Sequence, residues 1–512
     1  MRMKMILHSW TASRGKKLAL AMVVLGLATA VSAAVIPQLF AFFDPTGVIA
    51  TYNLNGPFDH SNPFFQSLGT NGRSCSTCHI ASNAMGLSTQ NIQERFFSTH
   101  GQDPLFAAVD GANCPNGSSR NPADHSLLLG HGLIRIPLTV PTPNPVQFQI
   151  VATHDPYGCA LVTEPTLGTR TASVFRRPLP TTNLKFLSTI MFDGRETILP
   201  LNDGTTDPAN LFSDLMHQAV DATTTHAQGV PPTVAQQTAI VNFELGLFSA
   251  QLLDDRAGLL VTKEAQGGPA DLSQEAYYPG INDTLGQDPN HIPFNPTVFT
   301  LFTGFANQGA PRDPFARALV EAQKNIAAGE VIFNTHTFSI SNVRGLNDNA
   351  ALAAALGTTL PIASFEGTCT TCHDAPNVGN HSLPLPLDIG TGHDPATETD
   401  PQIASALAQL DFPDLPVYQI TGCPNPFATA QTAAQPYVVN TTDPGKGLIT
   451  GACSDVNRIK GPILRGLASR APYFHNGAAQ NLDQLVNFYN QRFQMNLTEE
   501  EKKQLIAFLN SL

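Results

Sequence analysis

Apolar residues recur at helical spacing in several stretches of this 512-residue chain, and three of those stretches begin with a helix-capping pattern. A hydroxyl followed three positions later by Gln or Glu caps a first turn reciprocally, and Asp before Pro is a second type of start. The starts are Thr233 with Gln236, Asp313 with Pro314, and Thr498 with Glu501. The apolar positions after them are Ala239, Ile240, Phe243 and Leu247, then Leu319, Ile326 and Phe333, then Leu505, Ile506, Leu509 and Leu512.

The helical periodicity is lost in two long segments, 101–170 and 374–455. The chain holds 39 glycines and 40 prolines, while only 13% of its residues are charged. Glycine and proline interrupt regular structure and favour turns. Together with the capped helices, this composition predicts an all-α fold class in which the two segments are long irregular loop insertions.

The first 33 residues have the pattern of an export signal. Basic residues precede an apolar run at 18–30, and residues 31–33 offer a small-residue cleavage site. Cleavage there predicts a periplasmic or extracellular protein. The alternative is a membrane anchor, because apolar character resumes through Phe43, although Pro37 interrupts that run and Asp44 ends it.

The net negative charge of the chain argues against polyanionic partners. The net charge is −12 at pH 7, and the signal contains five basic residues but no acidic one, so the exported chain is more acidic still. We therefore expect no nucleic acid partner and no anionic membrane surface. An acidic surface can attract a basic protein partner, but acidity is also ordinary solubility.

Two segments, 75–79 and 369–373, share the pattern Cys-x-x-Cys-His. Two thiols three positions apart can add across both vinyl groups of one haem, and the adjacent His supplies an iron ligand. The competing interpretations are a redox dithiol and a zinc site, and zinc would leave the matching His residues unexplained. The pattern predicts two covalently bound haem c groups, attached at Cys75, Cys78, Cys369 and Cys372, with His79 and His373 as axial ligands.

Each motif is followed by a similar series of features. A glycine-containing turn, at 191–195 or 472–477, comes next, and a capped helix follows it. This repetition indicates a duplication. We expect two tandem cytochrome c-type haem domains, at 34–252 and 313–512, joined by a connecting segment at 253–312.

The other four cysteines lie in the two proposed loop insertions. Proximity pairs Cys114 with Cys159 and Cys423 with Cys453, although four cysteines allow three connectivities. In an oxidising compartment such disulfides hold loops that lack a core of their own.

These features resemble the bacterial diheme cytochrome c peroxidase family, which includes the diheme maturase of methylamine dehydrogenase and, more distantly, the diheme rubber oxygenase. The resemblance covers both Cys-x-x-Cys-His motifs, the turn from Phe192 to Arg195, the segment 461–477 and the C-terminal helix, about a third of the chain. It implies that one haem receives electrons from a small redox donor protein or carrier. The other haem would react with hydrogen peroxide or oxygen.

The resemblance places Tyr489 at the distal ligand position of the second haem, where the maturase has Tyr and the peroxidases have Met. Leu482, Leu485 and Val486 share a helical face with Tyr489. A phenolate is a hard donor that stabilises ferric iron. Tyr489 could instead be a core residue of that face, and Met495 is an alternative ligand.

The first haem is the reactive one by resemblance, and there the chain departs from the family. Phe192 stands where the family has the Trp that bridges the two haems, and the single Trp, Trp10, lies in the signal. Because Phe is much harder to oxidise, we do not expect hole hopping through this position. Direct electron tunnelling between the haems is unaffected by the change.

The distal residues of the first haem are also changed. Gln218 corresponds to the family's distal Gln, but Gln228 stands where the family has Glu. Peroxide cleavage needs a group that moves a proton, and His226 or His217 could do this. His226 could alternatively be a sixth iron ligand, or both could be loop histidines near solvent.

Three further positions have expected roles. Arg195 is expected to pair with a haem propionate or with a carboxylate of its own turn, and His475 to be structural. The family's calcium site has Arg177 at its corresponding place, and a fixed cation is a poor neighbour for calcium. Calcium therefore stays open but is not expected.

Three functions remain. The first is a peroxidase-like oxidoreductase in which the Tyr489 haem passes electrons to the His79 haem. The second is a non-catalytic electron-transfer cytochrome with both haems six-coordinate, and the third is an oxygenase of an apolar substrate.

Overall fold

The computed structural model describes residues 38–141, 146–163, 168–199, 208–428 and 437–512. The predicted export signal, residues 1–33, lies outside these ranges. Within them, no helix combines the length and the apolar character that crossing a bilayer requires.

Seven of the α-helices in the described residues begin after a residue whose side chain caps the first turn. The three predicted starts are confirmed, because Thr233 and Thr498 form complete capping boxes and the Asp313 side chain accepts from the Ala316 amide. The helices are α1 (Thr89–Thr99), α2 (Ser126–His131), α3 (Pro208–Thr225), α4 (Val234–Leu245), α5 (Pro269–Gln274), α6 (Pro314–Thr335), α7 (Ala350–Ala355), α8 (Pro401–Leu407), α9 (Gly447–Thr450), α10 (Leu482–Arg492) and α11 (Glu499–Asn510).

The predicted all-α fold class is wrong. The fold is mixed, with 33% helix and 16% strand, and the described residues form five antiparallel sheets. The strands are β1 (Leu39–Phe43), β2 (Gly47–Asn53), β3 (Ile134–Thr139), β4 (Gln149–His154), β5 (Leu161–Thr163), β6 (Arg170–Arg176), β7 (Leu247–Asp254), β8 (Gly258–Leu259), β9 (Val261–Thr262), β10 (Ala265–Gln266), β11 (Phe338–Ile340), β12 (Phe365–Gly367), β13 (Val417–Thr421) and β14 (Val438–Thr441).

A four-stranded sheet of order β1-β2-β7-β8 lies beside the first motif. Its strand β7 begins at Leu247, so the helix that we expected to continue through Leu247 ends at Leu245. The first five residues of β7 are all buried, as is usual for a strand covered on both faces. A short apolar run of this kind cannot be distinguished from the end of a buried helix by periodicity alone.

The two proposed loop insertions form one β-rich layer together. Strand β13 pairs with β4 and β14, while β3, β6 and β5 form a neighbouring sheet. The Tyr418 hydroxyl joins the two sheets, since it donates to the carbonyls of Ala160 and Ser173 at 3.0 and 2.7 Å. Both predicted disulfides, Cys114–Cys159 and Cys423–Cys453, are present.

The second half of the chain is built around the crossing of α6 and α11. Phe333 of α6 packs on Phe508 of α11, with ring centroids 5.4 Å apart. Gly329 allows this approach, because an added Cβ would lie only 2.0 Å from the carbonyl oxygen of Gln504. In the first half, α3 packs against α4. Each helix pair borders a cavity that contains one Cys-x-x-Cys-His motif.

Candidate functional site

Each Cys-x-x-Cys-His motif folds into a short 3-10 helix. These helices are Cys75–Thr77 and Cys369–Thr371. The amide of His79 donates to the Cys75 carbonyl at 3.0 Å, and the amide of His373 donates to the Cys369 carbonyl at 3.1 Å. All four motif cysteines are free of disulfide bonds. Their thiols are therefore available for thioether bonds.

Both motif histidines are held in an orientation suited to binding a metal through Nε2. Nδ1 of His79 contacts the Met85 carbonyl at 3.3 Å, and Nδ1 of His373 contacts the Gly379 carbonyl. A carbonyl can only accept, so Nδ1 carries the proton and Nε2 keeps its lone pair. Burial lowers the pKa of His79 to about 4 and also lowers that of His373, so both rings are neutral near pH 7.

Each motif opens onto its own cavity. The first cavity contains about 1440 Å³ of empty space and the second about 1710 Å³, part of it open to solvent. The two cavities share a wall, because the same residues line both of them. These residues are Arg177, Pro178, Leu179, Pro180, Phe192 and Lys460.

The chemistry of the cavity linings fits haem. Apart from the motif residues, most of the lining side chains are apolar, as a porphyrin face requires. Cations stand among them and could pair with propionates: the partly buried Arg195 in the first cavity, and the buried Arg470 in the second and Arg177 and Lys460 in both. With free thiols and a neutral His in each motif, these residues fit one covalently bound haem per cavity.

A hydrogen-bonded chain of polar side chains enters the first cavity. Nδ1 of His226 contacts Asp110, and Asp110 also forms an ion pair with Arg73. Burial opposes ionisation of Asp110, but the His226 contact and the Arg73 charge outweigh it and lower the pKa of Asp110. Asp110 therefore stays ionised and fixes Nδ1 of His226 as a donor, which leaves Nε2 of His226 as an acceptor in the neutral ring.

The predicted distal residues of the first cavity separate into two groups. Gln218 and His226 both line the cavity. His217 lies outside it and is about half exposed, and its Nδ1 contacts Glu196 at 2.7 Å. Gln228 does not line the cavity either.

Tyr489 lines the second cavity together with Cys369, Cys372 and His373. It lies on α10, as its apolar helical face predicted. Burial raises the pKa of the Tyr489 phenol, and the neighbouring thiols of Cys372 and Cys369 raise it further. The alternative ligand, Met495, lines the same cavity and is buried. Both side chains thus line the cavity that contains His373.

The wall between the cavities contains a buried charge network behind Phe192. The Phe192 ring lies 6.1 Å from the His475 ring, centroid to centroid. Nε2 of His475 is 3.8 Å from Asp443, which binds Arg176 through two contacts of 2.6 and 2.8 Å. Burial lowers the pKa of His475 to about 4. His475 is therefore neutral, and its ring packs against Phe192 of the shared wall.

Arg195 has a partner in its own turn. Its guanidinium forms an ion pair with Asp193 at 3.0 Å, which is one of the two alternatives that the sequence left open. Arg177, which the resemblance puts at the family's calcium position, donates to the carbonyls of His131 and Leu87. A cation held in this way is a poor neighbour for calcium, and we assign no calcium to the chain.

A second cluster also fails as a metal site. Asp283, Asp374 and His381 are buried and place one potential ligand atom each within 4.8 Å of one another. However, the Leu383 amide donates to Nδ1 of His381 at 3.2 Å. Burial lowers the pKa of His381 to about 3, so the ring is neutral and its proton is on Nε2. That nitrogen cannot ligate a metal while it carries the proton.

Sequence reasoning missed Glu244. This carboxyl group is buried, lines the first cavity and forms no hydrogen bond or ion pair with another described residue. Burial raises its pKa to about 8. The duplication contained a signal for Glu244. Aligning the capping boxes of α4 and α11 places this acid opposite the apolar Leu509, which lines the second cavity.

Comparison with known proteins points to one kind of enzyme. No family model matches the chain. A cytochrome-c peroxidase of Denitromonas iodatirespirans, IdrP2, is 30% identical over 172 residues, which is 32% of this chain and 41% of that protein. IdrP1 of Pseudomonas sp. (strain SCT), also named a cytochrome-c peroxidase, is 24% identical over 221 residues, 41% of this chain and 51% of its own length. The cytochrome c551 peroxidase of Nitrosomonas europaea is 35% identical over 97 residues, which is 19% of this chain and 26% of that protein.

The chain thus spans about half or less of the length of the curated relatives that it matches. The predicted resemblance to bacterial diheme cytochrome c peroxidases is confirmed by these relatives, at low identity and partial coverage. At the level of the family, they support a peroxidase-like oxidoreductase that uses haem c.

Proposed function

We propose that the chain is an exported c-type cytochrome that binds two haems, at motifs 75–79 and 369–373, and acts as a peroxidase-like oxidoreductase. The observation that carries this proposal is the wall of six residues shared by the two cavities. Two haems on either side of one wall can exchange electrons by tunnelling. Phe192 lies in this wall as a packing residue. It would not be oxidised itself, but it would not prevent tunnelling between the haems.

The two cavities support a division of labour. The second holds Tyr489 and Met495 as candidate sixth ligands beside a largely apolar lining, which suits a haem that only receives electrons. The first holds His226, fixed by Asp110, together with the Gln218 amide. A haem there would supply electrons and an electrophilic iron to bound peroxide or oxygen.

His226 is the proposed acid–base residue of the first cavity. Nδ1 is fixed by Asp110, so Nε2 could accept a proton from one oxygen of a peroxide in the cavity and return it to the departing oxygen, while a haem held there would supply the electrons. This role would replace that of the Glu missing at position 228. Gln218 would orient the peroxide by hydrogen bonding. Arg73 holds Asp110 ionised throughout.

A second candidate function follows from the same residue. Nε2 of His226 has no hydrogen-bond partner among the described residues, and His226 lines the cavity that contains His79. If His226 bound the iron directly, both haems would be six-coordinate and the protein would only carry electrons.

Three expectations complete the proposal. The domains would span 34–252 and 313–512, with the connecting segment at 253–312. Cleavage of residues 1–33 would release the protein to the periplasm or the extracellular space. A small redox donor protein or carrier would reduce it.

Electron paramagnetic resonance of the ferric protein, followed by peroxide turnover with a reduced c-type donor, tests the two functions. We expect one high-spin haem in the wild type. His226→Gln should reduce peroxide turnover about 10²–10⁴-fold, the usual contribution of a proton-transfer group, and Asp110→Asn should reduce it less. His217→Gln, a change at the exposed histidine of the same segment, should have no effect.

The opposite pattern would favour the electron carrier. In that case the wild type would contain two low-spin haems and turn over no peroxide, and His226→Gln would convert one haem to high spin.

A further inference from the structure

The ammonium group of Lys460 has no partner in the shared wall. The backbone amide of Lys460 donates to the Phe192 carbonyl at 2.7 Å, which fixes the residue in the wall. The residue is 5% exposed and lines both cavities. Within the described ranges, no hydrogen bond or ion pair involves its Nζ atom.

Arg177 is the other charged residue among the six that line both cavities, and its guanidinium is already satisfied. It donates to three backbone carbonyls. The nearby carboxylates of Asp193 and Asp443 are held by Arg176. No acid of the wall is therefore left over for Lys460.

An isolated buried ammonium is unfavourable, because burial removes its hydration and nothing replaces it. Burial alone lowers the pKa of Lys460 to about 8. A residue that served only as packing would be better replaced by a Leu or Met. The lysine thus indicates that an anion enters the cavities from outside the polypeptide, and the propionates of haem are anions of that kind.

We propose that Lys460 binds propionates of both haems at once and so links their redox potentials. This inference rests on the two haems of the proposed function. The ammonium would be a fixed cation between the cavities. A cation stabilises the reduced form of each nearby haem, which carries one positive charge fewer, and so raises both midpoint potentials.

The test is spectroelectrochemical titration of the purified full-length holoprotein and of Lys460→Met. The variant should keep two haems, and both midpoint potentials should fall. Lys460→Arg, which retains the charge, should restore both toward the wild type. Lys446→Met is the matched control, since Lys446 is paired with Asp455 at 3.6 Å and lines neither cavity, and it should leave both potentials unchanged.

The outcomes separate this inference from the proposed function. A wild type without two covalent haems contradicts the proposed function itself. If Lys460→Met keeps two haems and the midpoint potential of only one of them shifts, or of neither, the bridging role alone is overturned. If Lys460→Met fails to retain haem, Lys460→Gln replaces it with the same expected shifts. Loss of haem from both neutral variants but not from Lys460→Arg supports the requirement for a cation, whereas loss from all three contradicts it.

Discussion

Glu244→Gln should remove a pH-dependent loss of stability that the buried carboxyl group imposes. Burial raises the pKa of Glu244 from 4.5 to about 8. Between those two pH values the Glu244 carboxyl group is ionised in the unfolded chain but stays protonated in the folded chain. Unfolding then releases a proton, so the stabilising contribution is complete below pH 4.5 and is lost as the pH rises through 8.

The expected size follows from the same two pKa values. Each pH unit inside the window costs about 1.4 kcal/mol of unfolding free energy. The wild type should therefore lose about 3 kcal/mol relative to Glu244→Gln between pH 4.5 and pH 7. Above pH 8 the difference should stop growing, because the carboxyl group is then ionised in both states.

Guanidinium chloride unfolding of the holoprotein at several pH values, followed by circular dichroism, measures this difference. Comparing variant and wild type at each pH cancels the titration of every other group. Glu244→Leu, which copies Leu509 of the second cavity, should give the same pH dependence. A difference that does not change between pH 4.5 and 8 would refute the reasoning that the Glu244 carboxyl is buried without a partner.

Three further changes have definite expected results. Gly329→Ala should destabilise the protein by about 1–3 kcal/mol in thermal unfolding, since the new methyl group overlaps the Gln504 carbonyl; an increase in stability would contradict the close crossing of α6 and α11. Tyr489→Phe should change the optical spectrum of one haem only, and an unchanged spectrum would remove the ligand assignment. Replacing Cys114 and Cys159 together by Ala should lower the unfolding free energy by about 2–4 kcal/mol, and no loss would mean that the disulfide is not formed.

Local signals were sufficient for the starts of the capped helices. The capping boxes at Thr233 and Thr498 set their helix starts through contacts within three residues. The disulfide pairing was also readable, since each bridge joins cysteines that are neighbours among those remaining. In such cases the information lies within a short stretch of chain.

The strands were missed because their partners are distant. Strand β2 pairs with β7 about two hundred residues later, and β4 pairs with β13 in the other half of the chain. Single short strands with Pro and Gly nearby carry no alternation that identifies them. The pairing energy comes from contacts that the sequence does not display.

The candidate site divides in the same way. The Cys-x-x-Cys-His motifs are contiguous and could be recognised directly. Asp110 and His226 come into contact only in the folded chain. Lys460 could be recognised as a candidate site residue only because it lines both cavities. Their importance therefore emerged only with the structure.

The central claim is that each motif carries one covalent haem, and haem stoichiometry tests it most directly. The pyridine haemochrome spectrum, combined with the intact mass of the unfolded chain, gives the type and number of attached haems. We predict two thioether-linked haems per chain, and one after either Cys75→Ala with Cys78→Ala or Cys369→Ala with Cys372→Ala. A mature chain whose mass is that of the polypeptide alone, with four titratable thiols, would contradict the account.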